Sequence, residues 1–509
     1  MLCASRRSPR CLARASRSFA TATTPGTLDT ETPPIHAFDV RKRARKEEGN
    51  IMDVFGALSG QPTVLPERFA ELKRELCKDT AKMVLTWWSV LKELDGAVDE
   101  ISKKGAGVIP QIQYSNITSG LSEQQVKDIK HRGVVIVKGG VSREEALGWK
   151  QSIKDYIKQN CELVKGGPPG NIVFYELFNT PAQISARTHP ALINTQKALL
   201  SLWHDSSPAS SSLDTAVSLR TPISYFDRLR IRPPGPSAFT LGPHIDSGGV
   251  ERWEDPGFRS CFRAILDSSD PEGWRAHDPF DIAPRLQAKL NIYGAPNQCT
   301  IVRPWQGWTA LSDTGVGEGT LRVLPLLSLS SAYIMLRPFF RRRSDVDPRS
   351  LRAEDWELDL ESTEFPGSVP GKPQELDAST HPHLDPERAM VSIPRVEPGD
   401  QVYWHCDIVH AVESEHNGPG DSSVLYIPAV PLTTYNAVYL RDQVNTFKSG
   451  LPSPDFPLGE GESHFVGRVT ADIVKDLQAR RMLGLAPFEV PTDASAGEAE
   501  LMKFANSLL

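Results

Sequence analysis

A histidine and an aspartate stand two residues apart in the segment FTLGPHIDSGGVERWEDPGF, residues 239–258. The segment reads as a strand ending at a glycine-rich turn, and side chains at positions i and i+2 of a strand project from the same face. His244 and Asp246 are therefore expected to point together. One imidazole and one carboxylate, completed by a second histidine from elsewhere, form a set that holds Fe(II) and leaves coordination positions open. Open positions are what a reaction with dioxygen requires.

Candidates for the second histidine lie downstream, in VEPGDQVYWHCDIVHAVESEHNG, residues 396–418. A predicted strand follows the turn at Asp400 and ends at His405, and His410 comes five residues later. Because five is an odd offset, the two imidazoles would face opposite sides of a regular strand. We expect Asp400 to serve the turn rather than chemistry. Three further histidines lie in polar stretches and are expected at the surface: His277, His381 and His383.

Three blocks of the chain resemble the phytanoyl-CoA hydroxylase-like branch of the Fe(II)/2-oxoglutarate oxygenases. That family carries an HxD motif, then a glycine-containing strand, then a PGD turn followed by two histidines. The corresponding blocks here are His244-x-Asp246, SDTGVGEGTLRVLPLL at 312–327, and Pro398-Gly399-Asp400 with His405 and His410. A closer resemblance, over about 120–460, is to the fungal and bacterial proteins of the domain-of-unknown-function 1479 family.

The resemblance implies both a fold and a ligand set. The fold is α+β, with a double-stranded β-helix core (the cupin-like jelly roll), N-terminal helices, long insertions and flanking helices. The implied iron ligands are His244, Asp246 and His410, whereas His405 matches a position that does not usually bind the metal. The implied reaction uses 2-oxoglutarate and dioxygen, and it hydroxylates or otherwise oxidises a small organic molecule.

One stretch departs from the family pattern. Many members hold the far carboxylate of 2-oxoglutarate with an arginine about a dozen residues beyond the last histidine, but 411–432 contains no arginine or lysine. A buried carboxylate without a cationic partner is costly, so another strand must supply the cation. The candidates are Arg303 and Lys289 on predicted inner strands, with Arg230 and Arg232. Otherwise the chain is a cupin-fold metal enzyme without 2-oxoglutarate chemistry, or an inactive binding protein on the same fold.

The composition narrows the class of partner. With 57 Lys and Arg against 63 Asp and Glu, the net charge is −6, which gives no bulk attraction to nucleic acid or to an anionic membrane. No apolar run approaches the roughly 20 residues that span a bilayer. Seven scattered cysteines without a CxxC pair argue against a disulfide framework or a thiolate zinc site. We therefore expect a small-molecule substrate.

The first 24 residues, MLCASRRSPRCLARASRSFATATT, hold five arginines, several serines and no acidic residue. This composition is typical of a mitochondrial presequence, and the region 17–20 suits cleavage. The alternative is a disordered basic tail on a cytoplasmic protein. A secretory signal is excluded because arginines interrupt every candidate apolar core.

The elements that must position the histidines change in character along the chain. Helices are predicted at 121–133, 142–160 and 470–484, with a buried strand at 134–139. From about 220 onward, short β-branched or aromatic runs, AKLNIYGAP at 288–296 among them, alternate with Pro/Gly turns in the manner of an antiparallel barrel. Five tryptophans are expected to pack in the core or at its rim: Trp253, Trp274, Trp305, Trp308 and Trp404. The predicted regions are 1–28 (presequence or tail), 29–118 (helical), 119–460 (jelly roll, with insertions near 251–288 and 340–390) and 461–509 (C-terminal helical extension).

Overall fold

The computed structural model describes residues 46–49, 51–55, 64–208, 212–236, 241–246 and 248–509. The predicted presequence, 1–28, lies outside the described residues. Among those that are described, none of the helices combines the length and the apolar character that crossing a bilayer requires.

The described residues form sixteen α-helices, most of them short. The α-helices are α1 (Ile51–Val54), α2 (Arg68–Leu76), α3 (Thr80–Lys104), α4 (Tyr114–Ser119), α5 (Glu123–Arg132), α6 (Arg143–Gln159), α7 (Pro181–Arg187), α8 (Pro190–Leu200), α9 (Glu251–Glu254), α10 (Pro256–Ser260), α11 (Arg263–Leu266), α12 (Leu327–Leu336), α13 (Pro386–Ala389), α14 (Thr434–Ser449), α15 (Leu477–Met482) and α16 (Ala496–Leu508). Short 3₁₀ helices cover Gly105–Val108, Leu213–Thr215, Gly273–Ala276, Ala283–Gln287, Arg337–Phe339, Ala353–Asp355, Pro382–Leu384 and Ala471–Ile473.

The strands are short, as the spacing of the turn residues predicts. They are β1 (Gln111–Gln113), β2 (Val134–Lys138), β3 (Gly166–Gly167), β4 (Phe174–Tyr175), β5 (Val217–Ile223), β6 (Leu229–Arg232), β7 (Gly235–Pro236), β8 (His244–Ile245), β9 (Trp305–Ala310), β10 (Leu321–Val323), β11 (Phe340–Arg342), β12 (Trp356–Leu358), β13 (Gln374–Glu375), β14 (Val391–Ser392), β15 (Gln401–His405), β16 (His410–Val412), β17 (Glu415–His416), β18 (Ser422–Tyr426) and β19 (Val430–Thr433).

Two large sheets form the centre of the fold. The larger has the strand order β1-β2-β15-β9-β18-β6-β4-β3, and the smaller has the order β13-β8-β16-β10-β14. Strands β1 and β2 pair in parallel, and the other pairings within these two sheets are antiparallel. Side chains from both sheets line one cavity, so the sheets face each other across it. The predicted α+β class is confirmed at this level.

The predicted helix, strand and helix near residue 120 form for local reasons. Helix α5 begins after Ser122, whose hydroxyl accepts a hydrogen bond from the N–H of Gln125. It ends at Gly133, whose φ of 66° is a left-handed conformation that glycine adopts readily. Strand β2 is almost wholly buried between β1 and β15, which explains its continuous apolar sequence. Helix α6 begins after Ser142, which caps the N–H of Glu145.

Two predicted elements are wrong, and side-chain hydrogen bonds explain both. Residues 288–296 form turns and not a strand, because their N–H groups bond carboxylate and amide side chains: that of Lys289 donates to Asp255 Oδ2 at 2.9 Å. The helix predicted over 470–484 is reduced to α15, because Asp476 caps its first turn by accepting from the N–H of Ala479. Helices α12 and α14 were not predicted; α12 is buried around most of its circumference and so lacks an amphipathic pattern.

The two predicted insertions contribute to the core. In the first, Trp253 is fully buried and its Nε1–H donates to the carbonyl of Met335 at 3.1 Å. In the second, His383 is buried, with its Nδ1 3.1 Å from the hydroxyl of Tyr333. The predicted surface positions are wrong for all three histidines, because each is packed among aromatic side chains or apolar neighbours: His277, His381 and His383.

Candidate metal centre

The structure brings His244, Asp246 and His410 together. Strands β8 and β16 are antiparallel neighbours in which His244 stands directly opposite His410, and Asp246 follows β8 at the first bend. One potential ligand atom from each residue lies within 4.8 Å of the others. His244 Nε2 is 3.5 Å from Asp246 Oδ1, and His410 Nε2 is 3.8 Å from Asp246 Oδ2. Three donors at these separations surround a point that one cation can occupy.

Both imidazoles are oriented by main-chain carbonyl groups. The Nδ1 atom of His244 lies 2.7 Å from the carbonyl oxygen of Gly242, and that of His410 lies 3.0 Å from the carbonyl oxygen of Ile408. A carbonyl oxygen only accepts, so each Nδ1 carries the proton and each Nε2 presents a lone pair toward Asp246. This is the tautomer in which a histidine binds a metal through Nε2.

The charges of the three groups suit metal binding. Burial lowers the pKa of His410 to about 3, with His244 acting in the same direction, so its ring is neutral at physiological pH. Burial would by itself raise the pKa of Asp246, but His410, His244 and Arg303 outweigh it and lower that pKa. The site therefore presents a neutral imidazole from His410 and an ionised carboxylate from Asp246.

Side chains outside the three fix the carboxylate of Asp246. Gln306 on β9 donates from Nε2 to Asp246 Oδ2 at 3.0 Å, and Arg303 Nη2 lies 3.6 Å from the same oxygen. Arg252 reaches the main chain instead, donating from Nη2 to the carbonyl of Asp246 at 3.1 Å. Partners of this kind orient metal ligands in many metalloproteins.

The three residues form one wall of a cavity between the two sheets. The opposite wall comes from the eight-stranded sheet, where Trp404 pairs with Gln306 and Tyr426 pairs with Trp308. The cavity is lined by a mostly apolar set that includes Val54, Phe55, Phe174, Leu241, Trp308, Leu321, Trp404, Val412, Val424, Tyr426, Pro428 and Phe456. Trp308 and Trp404 therefore face the cavity in addition to the packing role expected for them, whereas Trp253, Trp274 and Trp305 do not line it.

Arg230 is the predicted cation that reaches this cavity without a carboxylate partner. It lies on β6, opposite Phe174 on one side and Val424 on the other, and it is 4% exposed. Its Nη2 donates to the carbonyl of Gly319 at 3.2 Å and to the hydroxyl of Ser422 at 3.3 Å, and its Nε has no partner. Among the described residues no carboxylate lies within 4.0 Å of it. A buried guanidinium in this state can accept an anion as a partner.

The other predicted cations differ from Arg230. Arg303 lines the cavity but lies 3.6 Å from both Asp227 and Asp246, so its charge is already matched. Arg232 donates to the main-chain carbonyls of Glu413 and Ser414. Lys289 is exposed and does not line the cavity, because its segment forms turns at the surface; the structure does not bring it to the site.

Most residues that line the cavity were missed by the sequence analysis, among them Phe55, Arg228, Asn297 and Gln306. For Arg228 a signal existed, since Arg228 and Arg230 stand two apart in RLRIR and so share a face. Asn297 has a positive φ of 58°, is 4% exposed and has both amide atoms unpartnered. Its sequence context gives no sign of this. Phe55 lies edge-on to His244, with ring centroids 4.9 Å apart, through a contact between distant parts of the chain.

A second group of ligand-type side chains, His405, Cys406 and Asp407, lies on the turn between β15 and β16. It is already saturated. Asp407 forms ion pairs with Arg252 and Arg285. His405 Nε2 is 3.0 Å from the carbonyl of Pro279, and its Nδ1 accepts from the N–H of Asp407 at 3.1 Å. Two guanidinium groups at the carboxylate repel a metal cation, so this second group does not form a competing site.

Asp400 serves the turn before β15, as predicted. Its carboxylate accepts hydrogen bonds from the N–H groups of Gly139 at 3.0 Å and Glu397 at 2.8 Å, and it lies 2.7 Å from Lys138 Nζ. These contacts tie the start of β15 to the end of β2. The turn thus fixes the strand that leads to His405 and His410.

Comparisons with known proteins agree with one another. The sequence profile of the Gig2-like family matches residues 63–485. The uncharacterized protein YbiU of Escherichia coli (strain K12) is 33% identical over 402 residues, which cover 76% of this chain and 88% of YbiU. The crystal structure of GlcNAc Inducible Gene 2, GIG2 (DUF1479), from Candida albicans has a TM-score of 0.77 and 34% identity, covering 88% of this chain and 95% of that one. A protein from Salmonella typhimurium LT2, provisionally named an oxidoreductase, has a TM-score of 0.69 and 30% identity. The match covers 83% of this chain and 98% of that one.

Proposed function

This chain belongs to the Gig2-like family, and we propose that it is an Fe(II)- and 2-oxoglutarate-dependent oxygenase that oxidises a small organic molecule. The observation that carries the proposal is the convergence of His244, Asp246 and His410 on one wall of a buried cavity. We further propose that the two facing sheets are the double-stranded β-helix of that enzyme class.

The donor set fits Fe(II). Two imidazoles and one carboxylate leave coordination positions open on a six-coordinate metal, which distinguishes oxygen-activating sites from closed structural ones. The hydrogen bonds from Nδ1 of His244 and His410 to carbonyl oxygens hold both Nε2 lone pairs in the binding orientation. Fe(II) held there supplies, with 2-oxoglutarate and dioxygen, the oxidising chemistry of the class.

The charges around the cavity favour an anionic co-substrate. Three arginines line it, Arg228, Arg230 and Arg303, against two carboxylates, Asp227 and Asp246. Glu176, outside the lining, lies 3.7 Å from Arg228 and balances the third arginine, so a bound dication gives an excess of two positive charges. A dicarboxylate such as 2-oxoglutarate brings two negative charges and offsets that excess, whereas a neutral co-substrate leaves it buried.

Arg230 is the residue we assign to the far carboxylate of 2-oxoglutarate. Family members place that arginine about a dozen residues beyond the last metal-binding histidine, which here is the start of β18, and β18 has no basic residue. Arg230 lies on β6, the neighbour of β18, and its guanidinium already touches the hydroxyl of Ser422 on β18. The cation therefore comes from the adjacent strand but occupies the same part of the sheet. This assignment answers the departure in the sequence pattern.

The remaining side chains order the reactants and exclude water. Gln306 holds one carboxylate oxygen of Asp246, which leaves the other free to bind the metal. Phe174, Trp308 and Tyr426 cover the sheet side of the cavity, and Phe55 covers His244. A lining of this kind keeps bulk water from the reacting atoms and strengthens the electrostatic contacts within the site. The chain thus supplies ligand geometry, a cation for the co-substrate and a dry cavity.

Anaerobic titration of the metal-free protein with Fe(II) and 2-oxoglutarate tests the proposal. We expect a weak visible charge-transfer band that requires both additions, because the band reports 2-oxoglutarate bound to the metal through two oxygens. The His410→Ala variant should lose the band. The matched control is His405→Asn, which alters a buried histidine five residues away but leaves the three proposed ligands, and it should keep the band.

Two other outcomes would replace the proposal. Tight Fe(II) binding without the band would favour a cupin-fold metal enzyme that does not use 2-oxoglutarate. Absence of metal binding in the wild-type protein would favour a binding protein without catalysis. In the first case, unchanged Fe(II) affinity in His410→Ala would contradict the ligand assignment.

We also propose that the arginine-rich first 28 residues direct the chain to mitochondria, on the ground of their composition. Fusion of these residues to a fluorescent protein, followed by microscopy, tests this directly. Mitochondrial fluorescence that is lost when the five arginines are replaced by glutamine is the expected result. Diffuse cytoplasmic fluorescence of the unaltered fusion would contradict it.

A further inference from the structure

Behind the metal-binding wall, a chain of buried polar contacts joins the segments that carry two of the proposed ligands. Asp407 lies in the turn that leads to His410. Its Oδ1 is 3.2 Å from Nη1 of Arg252, and its other oxygen pairs with Arg285. Arg252 then donates from Nη2 to the main-chain carbonyl of Asp246 at 3.1 Å. One guanidinium thus contacts the turn before His410 and the main chain of Asp246 at once.

Asp246 needs such support because strand pairing does not hold it. Strand β8 comprises only His244 and Ile245, and its pairs with β16 and β13 involve those two residues alone. Asp246 lies at the bend that follows. Its main chain is therefore placed by contacts outside the sheet, and the hydrogen bond from Arg252 is one of them.

These polar contacts are buried, and they depend on the planar shape of the Arg252 guanidinium. Arg252 and Asp407 are 2% and 3% exposed, and the guanidinium of Arg252 also lies over the ring of Phe258, 5.0 Å from its centroid. A planar guanidinium with several N–H groups in a fixed fork can bond two acceptors in different directions, which the single ammonium of lysine does not reproduce. Asp407 supplies the negative charge that a buried arginine requires.

We propose that Arg252 and Asp407 are positioning residues that set the place of Asp246 relative to His410 and so determine the affinity and geometry of the metal site. The proposal rests on the proposed function only in that the three residues bind a metal. It assigns a role to the second group of ligand-type side chains, in which Asp407 acts through Arg252 and does not itself touch the metal.

The test measures metal binding and not turnover. Anaerobic Fe(II) affinity is determined by calorimetry for the wild-type protein and for Asp407→Asn, Arg252→Lys and Arg252→Met, together with the charge-transfer band in the presence of 2-oxoglutarate. We expect each variant to bind Fe(II) about 10- to 100-fold more weakly, the range that loss of an outer partner of a metal ligand produces, and to shift or broaden the band. Arg252→Lys should not retain the wild-type Fe(II) affinity, although lysine keeps the positive charge.

The control variant, Asp359→Asn, also loses a buried ion pair, but one that lies away from the metal centre. Asp359→Asn removes a carboxylate that is 6% exposed and lies 3.8 Å from Lys73 Nζ; neither residue lines the cavity. We expect Asp359→Asn to lower thermal stability while keeping wild-type Fe(II) affinity. In a protein that already carries Arg252→Met, Asp407→Asn should weaken Fe(II) binding further by less than about twofold, because Asp407 acts through Arg252.

The outcomes separate this inference from the proposed function. If the wild-type protein binds no Fe(II), the proposed function fails. If the wild type binds Fe(II) and Arg252→Lys and Asp407→Asn bind it equally well, the positioning role is overturned. If their losses equal that of Asp359→Asn, the effect is general destabilisation and the positioning role is likewise overturned. Should Asp407→Asn not fold, Arg252→Lys, which retains the ion pair's charges, decides the question.

Discussion

Two groups of three ligand-type side chains lie close together in this protein, and they behave differently. His244, Asp246 and His410 face a cavity with unpartnered Nε2 atoms. The group His405, Cys406 and Asp407 is enclosed, and its carboxylate is matched by two guanidinium groups. The residue types are almost the same, and the surroundings decide which group can hold a cation.

The difference teaches that a metal site requires lone pairs that nothing else in the protein uses. In the second group, His405 stacks on Trp203 with ring centroids 4.8 Å apart, and both ring nitrogens have hydrogen-bond partners. In the first group, the corresponding partners bind only the Nδ1 side of each ring. The first group therefore keeps lone pairs that a cation can use, whereas those of the His405 ring are taken up by the protein itself.

The largest expected effect separates the two groups by metal affinity. His244→Ala should weaken Fe(II) binding about 1000-fold, since each ligand of a divalent metal site contributes several kcal/mol. His405→Asn should change the affinity by less than about threefold, because His405 is not a ligand and the asparagine amide oxygen can still accept the N–H of Asp407 that His405 Nδ1 accepts. Anaerobic calorimetry on both variants measures this. Equal losses in the two would erase the distinction between the groups.

The next effect is on stability, where the second group is expected to matter more than the first. Asp407→Asn should lower the free energy of unfolding of the metal-free protein by about 3 kcal/mol, because it leaves two buried guanidinium groups without their carboxylate. His244→Ala should lower it by about 1 kcal/mol, since it removes one hydrogen bond, from Nδ1 to the carbonyl of Gly242, while the buried Nε2 is 3.5 Å from Asp246 Oδ1. Denaturant titration checks both values. A His244→Ala loss as large as that of Asp407→Asn would show that the first group is structural too.

A smaller effect concerns the co-substrate. Arg230→Met should raise the dissociation constant of 2-oxoglutarate about 10- to 100-fold, the equivalent of one hydrogen bond to a charged group, with Mn(II) at saturation. Arg232→Met is the matched control: it lies two residues along the same strand, bonds carbonyls and should leave the constant unchanged. Calorimetric titration with 2-oxoglutarate measures both. Stronger dependence on Arg232 would move the carboxylate out of the cavity.

The smallest effect is the contribution of His405, in the second group, to the pH dependence of stability. Burial lowers the pKa of His405 to about 3, below its value of about 6.5 in the unfolded chain. As pH falls below about 6.5 the unfolded chain takes up a proton that the folded one refuses, so stability falls by about 1.4 kcal/mol per pH unit. In His405→Asn this contribution should vanish. Unfolding at pH 7 and pH 5 should therefore differ by about 2 kcal/mol less in the variant than in the wild type.

Much of the site follows from local sequence. The HxD spacing pointed to His244 and Asp246, the family resemblance pointed to His410, and the structure brings those three together. The capping serines of α5 and α6 predicted those helices to within two residues. These features depend on neighbours in the chain, which the sequence shows directly.

Which basic residue lies in the cavity without a carboxylate partner depends on tertiary structure. Arg303, Lys289 and Arg230 are all basic residues near predicted strands, and only the pairing of β6 with β18 shows that Arg230 faces inward. Lys289 does not line the cavity, because hydrogen bonds to side chains hold its segment in turns and not in a strand. The burial of His381 and His383 likewise arises from packing against residues distant in sequence, for which a polar flanking sequence gives no warning.

The most direct test of the metal centre is anomalous diffraction at the iron absorption edge from wild-type crystals loaded anaerobically with Fe(II). We predict one strong peak about 2.1 Å, the usual metal–imidazole bond length, from Nε2 of both His244 and His410, and bonded to a carboxylate oxygen of Asp246. A peak at His405, Cys406 and Asp407, or no peak within bonding distance of His244 and His410, would contradict the assignment.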